Sequence, residues 1–146
     1  MITINDYTIK PTQFPDGTQQ VWQIGNIIKD ENKIYWEFAC DSELVSLGHL
    51  VKLIRNTLPL SENHLSMKYL PYARQDKPVS DDATFGLYFF ADFLNMLNFD
   101  TVTAIDVHSE VAVDLIRNFK NIFPLQRICN VASASLSNAF MFPDTP

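Results

Sequence analysis

Residues 33–70, KIYWEFACDSELVSLGHLVKLIRNTLPLSENHLSMKYL, change their hydrophobic period twice. Lys33 to Ala39 is rich in aromatic and β-branched residues and follows the turn-forming run Lys29-Asp30-Glu31-Asn32, which predicts a strand. From Ser42 to Thr57, Leu44, Leu47, Val51 and Ile54 recur at helical spacing, with Asp41 or Ser42 available as N-cap and Glu43 in the first turn. His64 to Leu70 then reads as a buried strand. Strand, helix and strand in succession form a βαβ unit, the building block of a parallel sheet.

The pattern extends in both directions. Phe85 to Leu97 reads as a mostly buried helix because its apolar residues wrap around more than one face. Thr101 to Val107 is the next predicted strand, Glu110 to Phe119 a helix, Asn121 to Leu125 a short strand, Ala132 to Ser137 a helix and Ala139 to Phe142 a last strand. Upstream, Tyr7 to Lys10 and Gln20 to Ile24 read as strands flanking the turn Phe14-Pro15-Asp16-Gly17. This alternation predicts an α/β fold, a three-layer domain whose parallel sheet is covered by helices on both faces through right-handed crossovers. No repeat, low-complexity tract or linker interrupts the 146 residues, so they read as one domain.

Composition limits what such a domain does. With 47% hydrophobic and 19% charged residues the chain can bury a core, which excludes a largely disordered polypeptide. A balance of 11 Lys+Arg against 17 Asp+Glu, net −6, argues against nucleic-acid binding, which rests on a basic face. Cys40 and Cys129 form neither a disulfide framework nor a C-x-x-C site, and read as buried thiols in a reducing compartment. No secretory signal opens the chain and no apolar run is long enough to span a membrane, so the expectation is a cytoplasmic protein.

In open parallel sheets ligands bind beyond the carboxyl ends of the strands. Three polar clusters fall at such ends: Arg74-Gln75-Asp76-Lys77, Asp106-Val107-His108-Ser109 and Pro143-Asp144. The first combines a planar bidentate cation, an amide, a carboxylate and an ammonium, a mixture suited to nucleotide phosphates and a base edge, though a solvated charged loop has the same composition. His108 is able to ligate a metal or an anion with Asp106 orienting it, or simply to end a strand. His49 and His64 receive no role, and the aromatics Phe85, Tyr88, Phe89, Phe90 and Phe93 read as core or subunit interface. The phosphate loop G-x-x-x-x-G-K-[ST], the dinucleotide fingerprint G-x-G-x-x-G and the nucleophile elbow G-x-S-x-G are all absent.

Pro71-Tyr72-Ala73-Arg74-Gln75-Asp76-Lys77, followed about thirty residues later by Thr103-Ala104-Ile105-Asp106-Val107-His108-Ser109, resembles ribose-phosphate pyrophosphokinase, or PRPP synthetase. That family carries an A-R-Q-D-[RK] segment and a D-[LV]-H segment in this order, with A-D-[FL]-L between them, matched by Ala91-Asp92-Phe93-Leu94. Phe14-Pro15-Asp16-Gly17 is similar to its F-x-D-G-E loop, and Phe142-Pro143-Asp144 to the start of its S-P-D-x-G-G segment. The resemblance implies a type I phosphoribosyltransferase-like fold and the N-terminal, ATP-binding half of a two-domain enzyme, with the T-G-G-T loop that holds the PRPP phosphates lying in the missing half. It implies Mg²⁺ as cofactor, ATP and ribose 5-phosphate as substrates, and a homo-oligomer. Arg74, Gln75 and Asp76 would contact ATP, His108 would bind the metal–ATP complex, Asp144 would associate with metal, and Phe14 and Asp16 would reach the adenine held by a neighbouring subunit.

Two departures stand out. Thr18 occupies the place of the glutamate in the F-x-D-G-E loop, and Pro78-Val79-Ser80-Asp81-Asp82 stands where many members carry arginines. Thr18 and the missing second half leave room for a second expectation, a non-catalytic regulatory or interaction subunit of the same family. A half-enzyme is also expected to lack turnover on its own.

Overall fold

The computed structural model describes residues 1–80 and 82–124. The expected helix 132–137, the strand 139–142, Cys129 and Asp144 lie outside the described residues. Four strands, β1 (Ile2–Ile4), β2 (Tyr7–Thr8), β3 (Thr12–Gln13) and β4 (Gln19–Gln20), precede the alternating part. That part runs β5 (Glu31–Trp36), α1 (Ser42–Thr57), β6 (Glu62–Met67), α2 (Gly86–Leu97), β7 (Thr101–Ile105), α3 (Glu110–Leu115) and β8 (Phe119–Ile122). The main sheet has the order β2-β1-β5-β6-β7-β8, while β3 and β4 form a separate hairpin. From β5 to β8 all pairings are parallel.

The α/β fold is therefore as expected, but the sheet is mixed. β1 runs antiparallel to both β5 and β2, pairing Thr3 with Tyr35 and with Thr8. Ile2–Ile4 is too short a run to have a period of its own, and it becomes a strand because Ile2 and Ile4 bury against the core. Beyond Gln20 the expected strand gives way to loop, with Gln23 in the left-handed region at φ 61°.

One face of the sheet carries the core. Along β5, Asn32, Ile34 and Trp36 are buried and Glu31, Lys33 and Tyr35 exposed; on β6, Leu65 and Met67 are buried while Glu62 and Ser66 are exposed. Strands taken in sequence order with right-handed crossovers put their connecting helices on one side. Helices α1 and α2 bring Leu44, Leu47, Leu50, Ile54, Leu87, Phe90 and Leu94 to the core. Among the described residues the second face presents polar groups such as Lys33, His64 and Thr103, and the helix expected over 132–137 lies outside them.

Other differences have local causes. Helix α2 buries Leu87, Phe90, Ala91, Leu94 and Leu97 but leaves Tyr88, Phe89 and Met96 exposed, because a straight helix offers the sheet a single face. Helix α3 stops at Leu115, four residues before its expected end, since Ile116 is extended and Asn118 turns left-handed at φ 56°. Cys40 is exposed, contrary to its expected burial, because it lies in the connection from β5 to α1. Helix α1 has its expected bounds, with Asp41 at the N-cap making no side-chain cap bond.

Candidate active site

The segment after β6 is anchored before it becomes a site. Tyr72 adopts φ 62°, a left-handed conformation that costs a bulky side chain free energy and needs fixed surroundings. Its ring stacks on Phe90 with centroids 5.5 Å apart and meets Phe38 edge-on, while Phe90 in turn lies against Trp36. Its hydroxyl donates to Asp41 Oδ1 at 2.6 Å, and this bond, followed by burial, raises the phenol's pKa. Asp41 is thus engaged with the loop rather than with its own helix. Gln75 N–H donates to Tyr72 O at 2.8 Å, closing the turn, and Gln75 O accepts from Leu87 N at 3.2 Å, joining it to α2.

The loop after β7 has a matching anchor. Asp106, also left-handed at φ 54°, donates its N–H to Ile122 O on β8. Asn121 clamps the next peptide: its Oδ1 accepts from Val107 N at 3.0 Å and its Nδ2 donates to Val107 O at 2.6 Å. With Val107 buried between them, Asp106 and His108 both project to solvent, and His108 Nε2 lies 3.6 Å from Asp106 Oδ2.

Because β6 and β7 are parallel neighbours, the two loops leave the sheet at the same end. They enclose an open cleft of about 700 Å³ lined by Tyr69, Tyr72, Arg74, Gln75, Asp76, Asp106, His108 and Ser109, among others. Arg74 is exposed, and among the described residues it forms no ion pair, so its guanidinium is available to an anion. Nearby carboxylates Asp76 and Asp106 offset the cationic character, which suits a ligand whose phosphates arrive with a cation.

The structure thus brings Arg74, Gln75, Asp76 and His108 together and separates Phe14 and Asp16 from them. Those two sit in the β3–β4 loop, which does not line the cleft. There Asp16 Oδ1 accepts from Thr18 N at 3.0 Å and Thr18 Oγ1 at 2.7 Å, and these bonds hold its carboxyl below the usual range. Asn121, whose contact with Val107 spans fourteen residues, carries no signal of that role in the sequence.

No family model matches the sequence, and no curated protein matches it. Among solved structures, the chain is similar to phosphoribosylpyrophosphate synthetase from Mycobacterium smegmatis, with a TM-score of 0.71 and 14% sequence identity over 88% of this chain and 44% of that one. The chain therefore spans less than half the length of that relative. At such low identity the likeness concerns the backbone, and this chain has an α/β fold of the kind found in phosphoribosylpyrophosphate synthetase.

Proposed function

We propose that this chain is the N-terminal, nucleotide-binding half of a ribose-phosphate pyrophosphokinase and holds ATP in the cleft between the Arg74 and His108 loops. One observation carries the reading: two motifs thirty residues apart, each anchored through a left-handed residue, converge at the carboxyl ends of adjacent parallel strands. In the proposed reaction the anomeric hydroxyl oxygen of ribose 5-phosphate attacks the β-phosphorus of ATP. The bond from that phosphorus to the α-phosphate bridging oxygen breaks, AMP leaves and the hydroxyl proton is released. Positioning and charge neutralisation suffice for such a transfer, so no covalent nucleophile is required.

Arg74 offers a planar fork of donors to phosphate oxygens, and His108, its Nε2 3.6 Å from Asp106 Oδ2, faces the same space. Gln75 and Asp76 complete the loop's contacts with ATP. A Mg²⁺ ion would fit as a passenger of the triphosphate, with the carboxylates Asp76 and Asp106 in the cleft, phosphates and water supplying its oxygen ligands and His108 facing the metal–ATP complex. When bound, Mg²⁺ neutralises phosphate charge and polarises the β-phosphorus. Asp144 is proposed as a further metal-associated group, and Phe14 and Asp16 as contacts to adenine in a neighbouring copy of a homo-oligomer. The acceptor sugar belongs to the other half, so the chain alone is expected to make little PRPP. No helix among the described residues is long and apolar enough to cross a membrane, and the proposed setting is the cytoplasm.

The engagement of Asp16 by Thr18 favours a second reading, a non-catalytic subunit that retains the fold and regulates a full-length partner. Calorimetric titration of Mg-ATP tests the first. Arg74→Ala and His108→Ala should each weaken binding about tenfold or more, since a charge-assisted phosphate contact is worth about 1.5–3 kcal/mol, while His49→Ala should leave it unchanged. Equal small effects from all three would refute the assignment.

A further inference from the structure

We propose that Asp41 is a positioning residue for the nucleotide, setting the shape of the Arg74 loop through its hydrogen bond with Tyr72 without touching the ligand. The proposal rests on the nucleotide reading above. Asp41 stands at the start of α1 and does not line the cleft, whereas Tyr72 does. An aspartate at the N-cap ordinarily turns its carboxylate onto an N–H of the first turn. Here the backbone of Asp41 is already helical, at φ −63° and ψ −25°, and no cap bond forms. Its Oδ1 instead accepts from the Tyr72 hydroxyl at 2.6 Å, across 31 residues of sequence.

The connection from β5 to α1 receives the loop at two points. Tyr69 donates its hydroxyl to Phe38 O at 2.7 Å, and Tyr72 donates to Asp41. Stacking on Phe90 and the edge contact with Phe38 fix the plane of the Tyr72 ring, but apolar faces can slide, and the hydroxyl bond supplies direction. A tyrosine stays left-handed only where its surroundings over-determine it. What Tyr72 holds in turn is the loop itself, because its carbonyl accepts from Gln75 N, with Ala73 and Arg74 between them. A change at Asp41 therefore reaches Arg74 through one side-chain bond and one backbone bond.

The sign of the effect separates positioning from plain electrostatics. A carboxylate acting through its field alone would repel a triphosphate, so its removal would tighten binding, whereas loss of positioning weakens it. Mg-ATP calorimetry is run on the parent and on each variant at a temperature where all are folded. Asp41→Ala should weaken binding about threefold to tenfold, the worth of one hydrogen bond. Asp41→Asn, which keeps an oxygen acceptor for the phenol, should recover most of that loss. In a Tyr72→Phe background, which keeps the ring against Phe90, Asp41→Ala should add nothing further. Unchanged or tighter binding in Asp41→Ala, an asparagine variant as weak as the alanine one, or an undiminished alanine effect beside Tyr72→Phe would each overturn the inference and leave the nucleotide reading standing. Should Asp41→Ala not fold, Tyr72→Phe carries the same test, and undiminished affinity there overturns it. If the unaltered chain takes up no Mg-ATP, the nucleotide reading fails and this inference fails with it.

Discussion

A methyl group added at Gly86 tests whether the Arg74 loop is locked to α2. A Cβ there would lie 2.0 Å from Gln75 Oε1, 2.9 Å from Gln75 Cδ and 3.0 Å from Tyr72 Cδ1. The Gln75 side chain can swing away, but the Tyr72 ring is held by Phe90 and by the hydrogen bond to Asp41, so it can give only by a few tenths of an ångström. Overpacking of this kind costs typically about 1–3 kcal/mol, and the low end applies because the worst contact is with a flexible side chain. Replacing glycine in a helix returns up to about 1 kcal/mol, less at the first position. Gly86→Ala should therefore destabilise the chain by about 0.5–1 kcal/mol. In a Gln75→Ala background the severe contact is gone, and the same change should be neutral or stabilising by about 0.5 kcal/mol. The expected coupling is thus about 1 kcal/mol, against additivity within about 0.3–0.5 kcal/mol for independent sites. Urea unfolding of the two single variants, the double variant and the parent gives the cycle, and Mg-ATP titration of Gly86→Ala should show weaker binding as the loop shifts. Additive stabilities would refute the contact, and with it the view that the start of α2 fixes the loop.

Two other substitutions probe the supports of the fold and the site. Burial is the largest influence on Glu43 and would raise its pKa, but hydrogen bonds from the Met1 amino group, Trp36 Nε1 and Ala39 N together outweigh it, so the carboxyl lies below its ordinary 4.5. A depressed folded pKa contributes stability that is present above about pH 4.5 and is lost as pH falls through the lower folded value. Unfolding free energies measured from pH 7 down to 3 should accordingly fall less steeply for Glu43→Gln than for the parent, and parallel curves would contradict this. Asn121→Ala removes both bonds to Val107 and should cost about 1–3 kcal/mol while weakening Mg-ATP binding; an undiminished affinity would show that the His108 loop holds its shape without the clamp.

Much of this fold was legible in the chain because its local and global preferences agree. The 3.6-residue period of 42–57 yields a helix with the expected bounds, and the alternation from residue 33 onward predicts parallel strands with their site at one end. Motifs around Arg74 and His108 could be placed in one cleft for the same reason: consecutive parallel strands are usually neighbours, so the loops that follow them share an edge. Strand ends were less legible. The stretch 64–70 begins as strand at Glu62 and leaves the sheet after Met67, where the chain turns to form the cleft.

Other features depend on partners remote in sequence. Ile2–Ile4 carries no periodicity of its own, yet becomes a strand because β5, thirty residues on, supplies its hydrogen bonds. Exposure of Cys40, Tyr88 and Phe89 was hidden for a related reason: hydrophobic character measures transfer out of water, while burial depends on which surface another element covers. Asn121 and Gly86 take their importance from contacts made across the fold. Periodicity is a property of neighbours along a chain, whereas a hydrogen bond, a clash or an unsatisfied hydroxyl exists only once distant segments are held at fixed distances.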